Sequence, residues 1–549
     1  MIMIIQKDAG KRAIRCAGAI VLLVFILSAC GGQPLPTLAP EAVVASPTPL
    51  PTATVAPTAT PTPGPAVVAI TAPEEGALVD MGAPLTLVVE ASAPSGVRTI
   101  TLTSNGQNIG QARGMDESSV RVEQAWTPSY AGTHHVVATL GDREGNVISS
   151  AALRLRVVDQ EMMAANAPLW AKVEGNVTAM RGLAAQEPVV PSILSRTELR
   201  QRLQAEAVYT EEQARRDVLV YSAFDFMRRD FNLYDLQRRY LGESLAGFYD
   251  PATKEFVVIS DAEQMNALEE WVYAHEFMHA LQDQHFDLAL ITDTTLSYDG
   301  NMAIRALAEG EAELLQEQYI DQGYLTDDQL VEIFNLTSRR RPSGGIEFPR
   351  ILSTSFIFPY EQGVEFVRAL HSRAGWNGLN AAWGNPPRST EQILHVDRYL
   401  AGDQPDIVSL APLTDTLGAG YELLETDVFG EFLLREYLGQ QLDEEDVDAA
   451  ATGWGGDAFA VYWNEEAQAQ VMVLRILWDS GADASQFASA FTRYAERLTG
   501  GAGRIDTPDG ACWPDQGVLC LYAGGLQTTV VRAPDVSTAQ VVAVSFKQQ

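Results

Sequence analysis

Residues 275–279 read His-Glu-Phe-Met-His, and these two histidines are drawn from only seven in the 549-residue chain. Positions i and i+4 lie about 40° apart around a helix. His275 and His279 therefore share a face only if the segment is helical, and both imidazoles can then hold one divalent ion. Glu276, one position round from His275, can reach a water at that ion and is the candidate general base. Val272, Tyr273, Phe277, Met278 and Leu281 surround the motif with apolar side chains, so the helix is expected to be packed rather than solvated.

Two positions compete for a third ligand. His285 follows His279 by six residues, the histidine spacing of metzincins, but Gln282 stands where their glycine would turn the chain. A continued helix points His285 away from the shared face. The other candidate is Glu309, with Glu311 and Glu313 beside it, in an expected helix from Asn301 to Tyr319. A loop and an antiparallel helix fit into the 29 residues between His279 and Glu309. Two imidazoles and one carboxylate leave a fourth position for water, as catalytic zinc requires. Glu313, one turn beyond Glu309, and Asp283, one turn beyond His279, are candidates to orient the ligand rings; for Asp283 a solvated helix face is the favoured reading.

Glu309-Gly310-Glu311-Ala312 resembles the second-helix signature of gluzincin peptidases, Asn-Glu-x-x-Ala, with Ala308 in place of the asparagine. The run from His275 to Leu288, with Pro386 to His395 and Gly453 to Asp457, is similar to a group of bacterial exported HExxH proteins. The resemblance implies an α-rich, α+β, zincin-like metallopeptidase domain with Zn2+ on His275, His279 and Glu309. It implies peptide-bond hydrolysis by a zinc-bound water with Glu276 as base, on a peptide or protein substrate, by an endopeptidase in preference to an exopeptidase. It also implies that the strand upstream of the metal helix, at 255–259, edges the cleft and pairs with a peptide. Tyr360, His371 and His395 are the candidates to stabilise the oxyanion, with His395 foremost for its Pro-rich loop. The alternative is a surface-binding or adhesion lipoprotein whose zinc site is structural or degenerate, closed by a fourth ligand such as His285.

The first residues belong to another kind of segment. Lys7, Lys11, Arg12 and Arg15 precede an apolar run, Ala17 to Leu27, too short to span a bilayer but suited to a signal peptide. Leu27-Ser28-Ala29-Cys30 resembles the bacterial lipobox. Residues 1–29 are thus expected to be a lipoprotein signal peptide. Cys30 is expected to carry lipid, and residues 30–65, rich in Pro and Thr, to tether the rest outside the cytoplasm. The membrane is then met only through that lipid. A net charge of −33 argues against nucleic acid as a partner. In an exported chain Cys512 and Cys520 are expected to form a disulfide.

Residues 66–158 alternate apolar and polar with turn signals such as Asn105-Gly106. The stretch from Trp126 through Asp142 to Asn146 resembles bacterial extracellular immunoglobulin-like modules. An Ig-like β-sandwich is expected, serving as a spacer in preference to a module that binds a surface partner. His134 and His135, adjacent in a strand, face opposite ways and cannot chelate together. Residues 160–549 are expected to form the catalytic domain. Its helices should cover 199–207 and 211–231, started by Ser195 and Thr210, ahead of a hairpin over 245–259. Beyond 320 a helical lobe is expected, with helices over 363–374, 428–438, 466–477 and 484–498 and an apolar alternation near 529–546.

Overall fold

The computed structural model describes residues 65–546, apart from 95, 114–116, 143–144, 206–208, 238–244, 294, 340–347, 502 and 508. The signal segment, Cys30 and the tether up to residue 64 lie outside the described residues. Two compact units result, one up to Gln160 and one from Glu161 onward. Among the described residues no helix is long and apolar enough to cross a membrane.

The first unit is a β-sandwich. Strands β1 (Val67–Ala72), β3 (Leu85–Ser92) and β6 (Ser119–Trp126) form one sheet. The other contains β2 (Ala77–Asp80), β8 (Val147–Val158), β7 (Gly132–Gly141), β4 (Thr99–Ser104) and β5 (Gln107–Arg113), in that order. Asn105 and Gly106 both adopt positive φ, +46° and +77°. That is the two-residue geometry that lets a hairpin follow the strand twist. Leu87, Val89, Ile100, Leu102, Val136, Leu140 and Leu155 fill the space between the sheets. His134 is buried with Ser104 and the Tyr130 carbonyl on its two nitrogens, while His135 lies on the opposite face.

The second unit opens with helix α1 (Gln160–Arg181) and strand β9 (Pro191–Leu194), followed by α2 (Arg196–Ala205) and α3 (Glu211–Ala223). Ser195 and Thr210 cap these last two as expected, each with a reciprocal bond from the third residue on. The second helix stops eight residues short of the expected 231, because Asp225 takes a left-handed conformation. Strands β10 (Gly247–Asp250) and β11 (Glu255–Ile259) form the expected hairpin, and β9 adds to it in parallel, giving the order β10-β11-β9. Strand β11 is therefore flanked on both sides. The expectation that residues 255–259 edge the cleft is corrected: the edge beside the next helix is β10.

Helix α4 (Ala267–Phe286) starts on Asn266 with a capping box to Glu269, and every residue from Ala267 to Asp283 is buried. Helix α5 (Tyr298–Asp321) packs on it, α6 (Asp327–Arg339) follows, and α7 (Arg350–Gly384) lies along α5 with a break at Gly375. Gly310 and Gly363 set the α5–α7 approach. A Cβ on Gly310 would fall 2.2 Å from the Gly363 carbonyl carbon, and one on Gly363 2.2 Å from the Ala306 oxygen. Only two bare backbones fit there.

The expected helical lobe beyond 320 is also corrected. Residues 421–533 build a seven-stranded antiparallel sheet, β12 (Tyr421–Asp427), β13 (Trp454–Asn464), β14 (Ala469–Trp478), β18 (Gln527–Ala533), β17 (Val518–Gly524), β16 (Gly510–Pro514) and β15 (Ile505–Thr507). Helices α8 (Gly430–Leu438), α9 (Gly481–Leu498) and α10 (Val536–Ser545) accompany it. The expected helix at 466–477 is strand β14. Held between β13 and β18 and buried on both faces, it reads as one apolar run without a strand's alternation. Cys512 and Cys520 sit directly opposite one another on β16 and β17 and form a buried disulfide.

Candidate metal centre

Seven side chains with charged, imidazole or amide groups are buried along α4: Glu269, Glu270, His275, Glu276, His279, Gln282 and Asp283. Buried polar groups need partners, and six of these have them. Glu269 closes the cap, Glu270 meets Lys172, Tyr319 and Gln329, and Asp283 accepts from Tyr249, Lys254 and the Leu288 backbone. Asp283 is thus neither a solvated face nor a support for His279. Glu276 is the exception: it is fully buried and neither carboxylate oxygen has a side-chain partner, the Tyr249 backbone N–H being the donor that acts on it.

The two rings face each other across the helical turn, with their Nε2 atoms 3.1 Å apart. Helix α5 brings the Glu309 Oε2 to 3.2 Å from each. Among the described residues these three form the group able to hold a metal ion. Donors on tetrahedral zinc, at about 2.0–2.1 Å from the ion, stand roughly 3.3 Å apart. The observed triangle fits that donor set and coordination.

The opposite edge of each ring fixes its hydrogen. His275 Nδ1 lies 3.0 Å from Gln316 Oε1, and the Gln316 amide nitrogen donates to the Trp271 carbonyl. His279 Nδ1 lies 2.7 Å from Gln282 Oε1, and the Gln282 nitrogen donates to the Ala308 carbonyl and to Glu311. With both amides held in that sense, Nδ1 of each ring must carry hydrogen. Each Nε2 lone pair is thereby turned toward Glu309.

Electrostatics follow from burial and crowding. Burial is the largest influence on His275 and lowers its pKa. Burial would also lower His279, but the charge of Glu309 and its hydrogen bond, aided by Glu276, push it up to about 9. Glu309 is opposed by burial, yet His279 and His275 hold it well below the usual carboxylate range. Glu276 is pushed up to about 8, chiefly by burial and further by Glu309, with His279 and the Tyr249 backbone N–H opposing. Glu313 is pushed up to about 8 by burial and by Glu309, and one of its oxygens has no hydrogen-bond partner.

The other expected residues fall as follows. Glu311 is paired with Arg181 and donates nothing to the triangle. The glutamines, not Glu313 or Asp283, back the rings. His285 is at the exposed end of α4 with Gln186 and the Ala184 carbonyl on its nitrogens. His395, the foremost oxyanion candidate, is engaged by Glu431, and His371 packs on Trp376. Tyr360 is the one brought to the centre: it is buried, its ring lies 6.2 Å from that of His275, and burial with the charges of Glu309 and Glu276 raises its pKa. The Gly310–Gly363 contact puts it there, since Tyr360 lies one turn from Gly363. Arg305, half-buried one turn before Glu309, shares this surface, with Glu309 and Tyr360 among the groups acting on its charge.

Gln282 and Gln316 were not legible as site residues. The available signal was position alone: Gln282 three residues beyond His279, and Gln316 two helical turns beyond Glu309. The 386–395 and 453–457 motifs are accounted for structurally. Ser389 caps the short helix Thr390–Leu394, whose first residue binds Asp299, and Asp457 accepts from Phe429, Gly430 and Trp454.

Residues 67–138 match a family model described as a bacterial Ig domain, and residues 421–543 match one described as a domain of unknown function (DUF8575). No curated protein matches the chain. Among solved structures, the Clostridium thermocellum CbhA fibronectin(III)-like modules are 18% identical, with 16% of this chain and 94% of that one covered, at a TM-score of 0.14. A CARDB domain from Pyrococcus furiosus, solved with di-metal ions, is 17% identical over 19% of this chain and 100% of that one, at a TM-score of 0.16. A candidate hydrolase with a novel fold from Chloroflexus aurantiacus is 17% identical over 45% of this chain and 91% of that one, at a TM-score of 0.28.

Proposed function

We propose that the chain is a gluzincin-like zinc metallopeptidase that hydrolyses peptide bonds, with His275, His279 and Glu309 holding the ion and Glu276 as general base. The observation that carries this reading is the pairing of a three-donor triangle with edges of 3.1–3.2 Å and one buried carboxylate beside it that no side chain satisfies. Bound zinc supplies Lewis acidity, polarising a carbonyl and lowering the pKa of water. Glu276 takes a proton from the attacking water and returns it to the leaving amine. The Tyr360 hydroxyl is the group suited to steady charge on the attacked oxygen.

Strand β10 supports the reading from the substrate side. Ile259 N–H donates to the Ala246 carbonyl, so by antiparallel alternation Gly247 and Tyr249 turn their backbone groups away from β11, the Tyr249 N–H toward Glu276. Gly247 is pressed against α4, where a Cβ would meet Val272 at 2.8 Å and the Glu276 Cγ at 3.4 Å. An extended peptide adding to this edge would run past Glu276. Lipid on Cys30 would hold the enzyme at a membrane outside the cytoplasm, a reading that rests on the sequence.

The test is purified protein beginning after the tether, assayed for bound zinc and for cleavage of a mixed peptide library beside Glu276→Gln. Stoichiometric zinc with cleavage abolished by the substitution is expected. Zinc bound equally by both, with no cleavage dependent on Glu276, would replace the peptidase with a binding lipoprotein that carries a structural ion.

A further inference from the structure

The buried Arg181–Glu311 pair has no part in the chemistry proposed above, yet it ends against the metal helix. Arg181, the last residue of α1, is 1% exposed; its Nε donates to Glu311 Oε1 at 2.6 Å and its Nη2 to Asn380 at 2.7 Å. Its guanidinium also lies 4.9 Å from the Trp376 ring centroid. Glu311, fully buried, uses its second oxygen to accept from Gln282 Nε2 at 2.8 Å and Trp383 Nε1 at 2.7 Å. Gln282 Oε1 is then left to face His279 Nδ1.

Taking two charges out of water is costly, and such a pair adds little stability over apolar side chains of the same size. What this one does supply is a fixed acceptor. Glu311 and the Ala308 carbonyl both require a donor from Gln282, so its amide is held in one of two otherwise equivalent orientations. The reversed amide would set oxygen against oxygen at both contacts. It would also present N–H to His279 Nδ1, moving the ring hydrogen to Nε2 and removing the lone pair that a metal needs.

We infer that Arg181, Glu311 and Gln282 form a positioning relay that fixes the tautomer of His279 and so sets the affinity of the centre for zinc. The inference rests on the metal reading of the His275–His279–Glu309 triangle. Arg181 comes from a helix nearly a hundred residues ahead of the motif, so the relay ties metal affinity to the docking of α1.

The experiment measures zinc dissociation constants of the full chain by competition with a chelator, for wild type, Glu311→Gln and Gln282→Met. Glu255→Gln is the matched control. Glu255 belongs to another buried pair, with Arg202 at 2.7 and 2.8 Å, and lies on β11 rather than on the helices that carry the rings and Glu309. Loss of a support to a ligand histidine costs about 10–100-fold in affinity. That loss is expected for Glu311→Gln and Gln282→Met, with the control within twofold of wild type. Equal affinities in all four proteins, or an equal loss in the control, would overturn the relay and leave the pair as packing. If Glu311→Gln does not fold, Gln282→Met decides: unchanged affinity overturns the proposal. Should wild type bind no zinc, the metal reading fails. The relay is then judged alone by imidazole nitrogen shifts of His279, recorded above its titration. A hydrogen on Nδ1 in wild type that moves to Nε2 in Glu311→Gln supports it, and no difference overturns it.

Discussion

Glu276 and Asp457 are both fully buried carboxylates whose pKa burial raises, to about 8 and about 6. Their surroundings differ in kind. Asp457 accepts from the Phe429 and Gly430 backbone and from Trp454, and its neighbour Asp299 accepts from Thr390 twice. Gly430 itself, at φ +77°, leaves room for Asp299, since a Cβ there would fall 1.8 Å from Asp299 Oδ1. Around Glu276 no such group gathers: only the Tyr249 backbone N–H acts on it as a donor, and no side chain donates. Burial and a shifted pKa are therefore common to a structural acid and a candidate catalytic one. The unfilled acceptor is what separates them, because an unmade hydrogen bond in the interior persists only where something other than stability maintains it.

The contrast can be broken most sharply at Glu276. Glu276→Gln should lower peptide turnover by about a thousandfold, the size of a general-base contribution. Its melting temperature should be unchanged or higher, because an amide oxygen can still accept from the Tyr249 N–H and no other donor loses a partner. A calorimetric loss comparable to that of an Asp457 variant would erase the distinction. Asp457→Ala should strand three donors and cost about 3 kcal/mol in denaturant unfolding; a neutral result would mean that these bonds hold nothing in place. The pH dependence sharpens the same point. With its folded pKa above the unfolded value near 3.9, Asp457 contributes stability that is fully present below pH 3.9 and lost as pH rises through about 6. Unfolding free energy should fall by about 3 kcal/mol across that window from this residue, and Asp457→Asn should flatten the slope. The smallest effect belongs to His285→Ala. Zinc content and turnover should stay within twofold of wild type, and a larger loss would return His285 to the ligand set.

Local chemistry made much of this legible. Thr210 and Ser195 announced helix starts, Asn105-Gly106 a hairpin and alternation the sandwich, since each depends on neighbours in the chain. Strand β14 was misread because a strand buried on both faces loses its alternation. Strand β11 reads as an edge in the sequence because β9, its other neighbour, comes from more than fifty residues upstream. His395 drew attention through its loop, while Tyr360 gained its place through a glycine contact between two helices.

The sequence alone determined the helix, its two rings and the acid between them, because a 3.6-residue period projects i and i+4 to one side whatever surrounds them. Only the tertiary structure decided which carboxylate closes the triangle, which amides hold the rings and which acid goes without a side-chain partner. Those outcomes depend on groups far apart in the chain competing for a few buried donors and acceptors, and that competition is settled only when the helices pack.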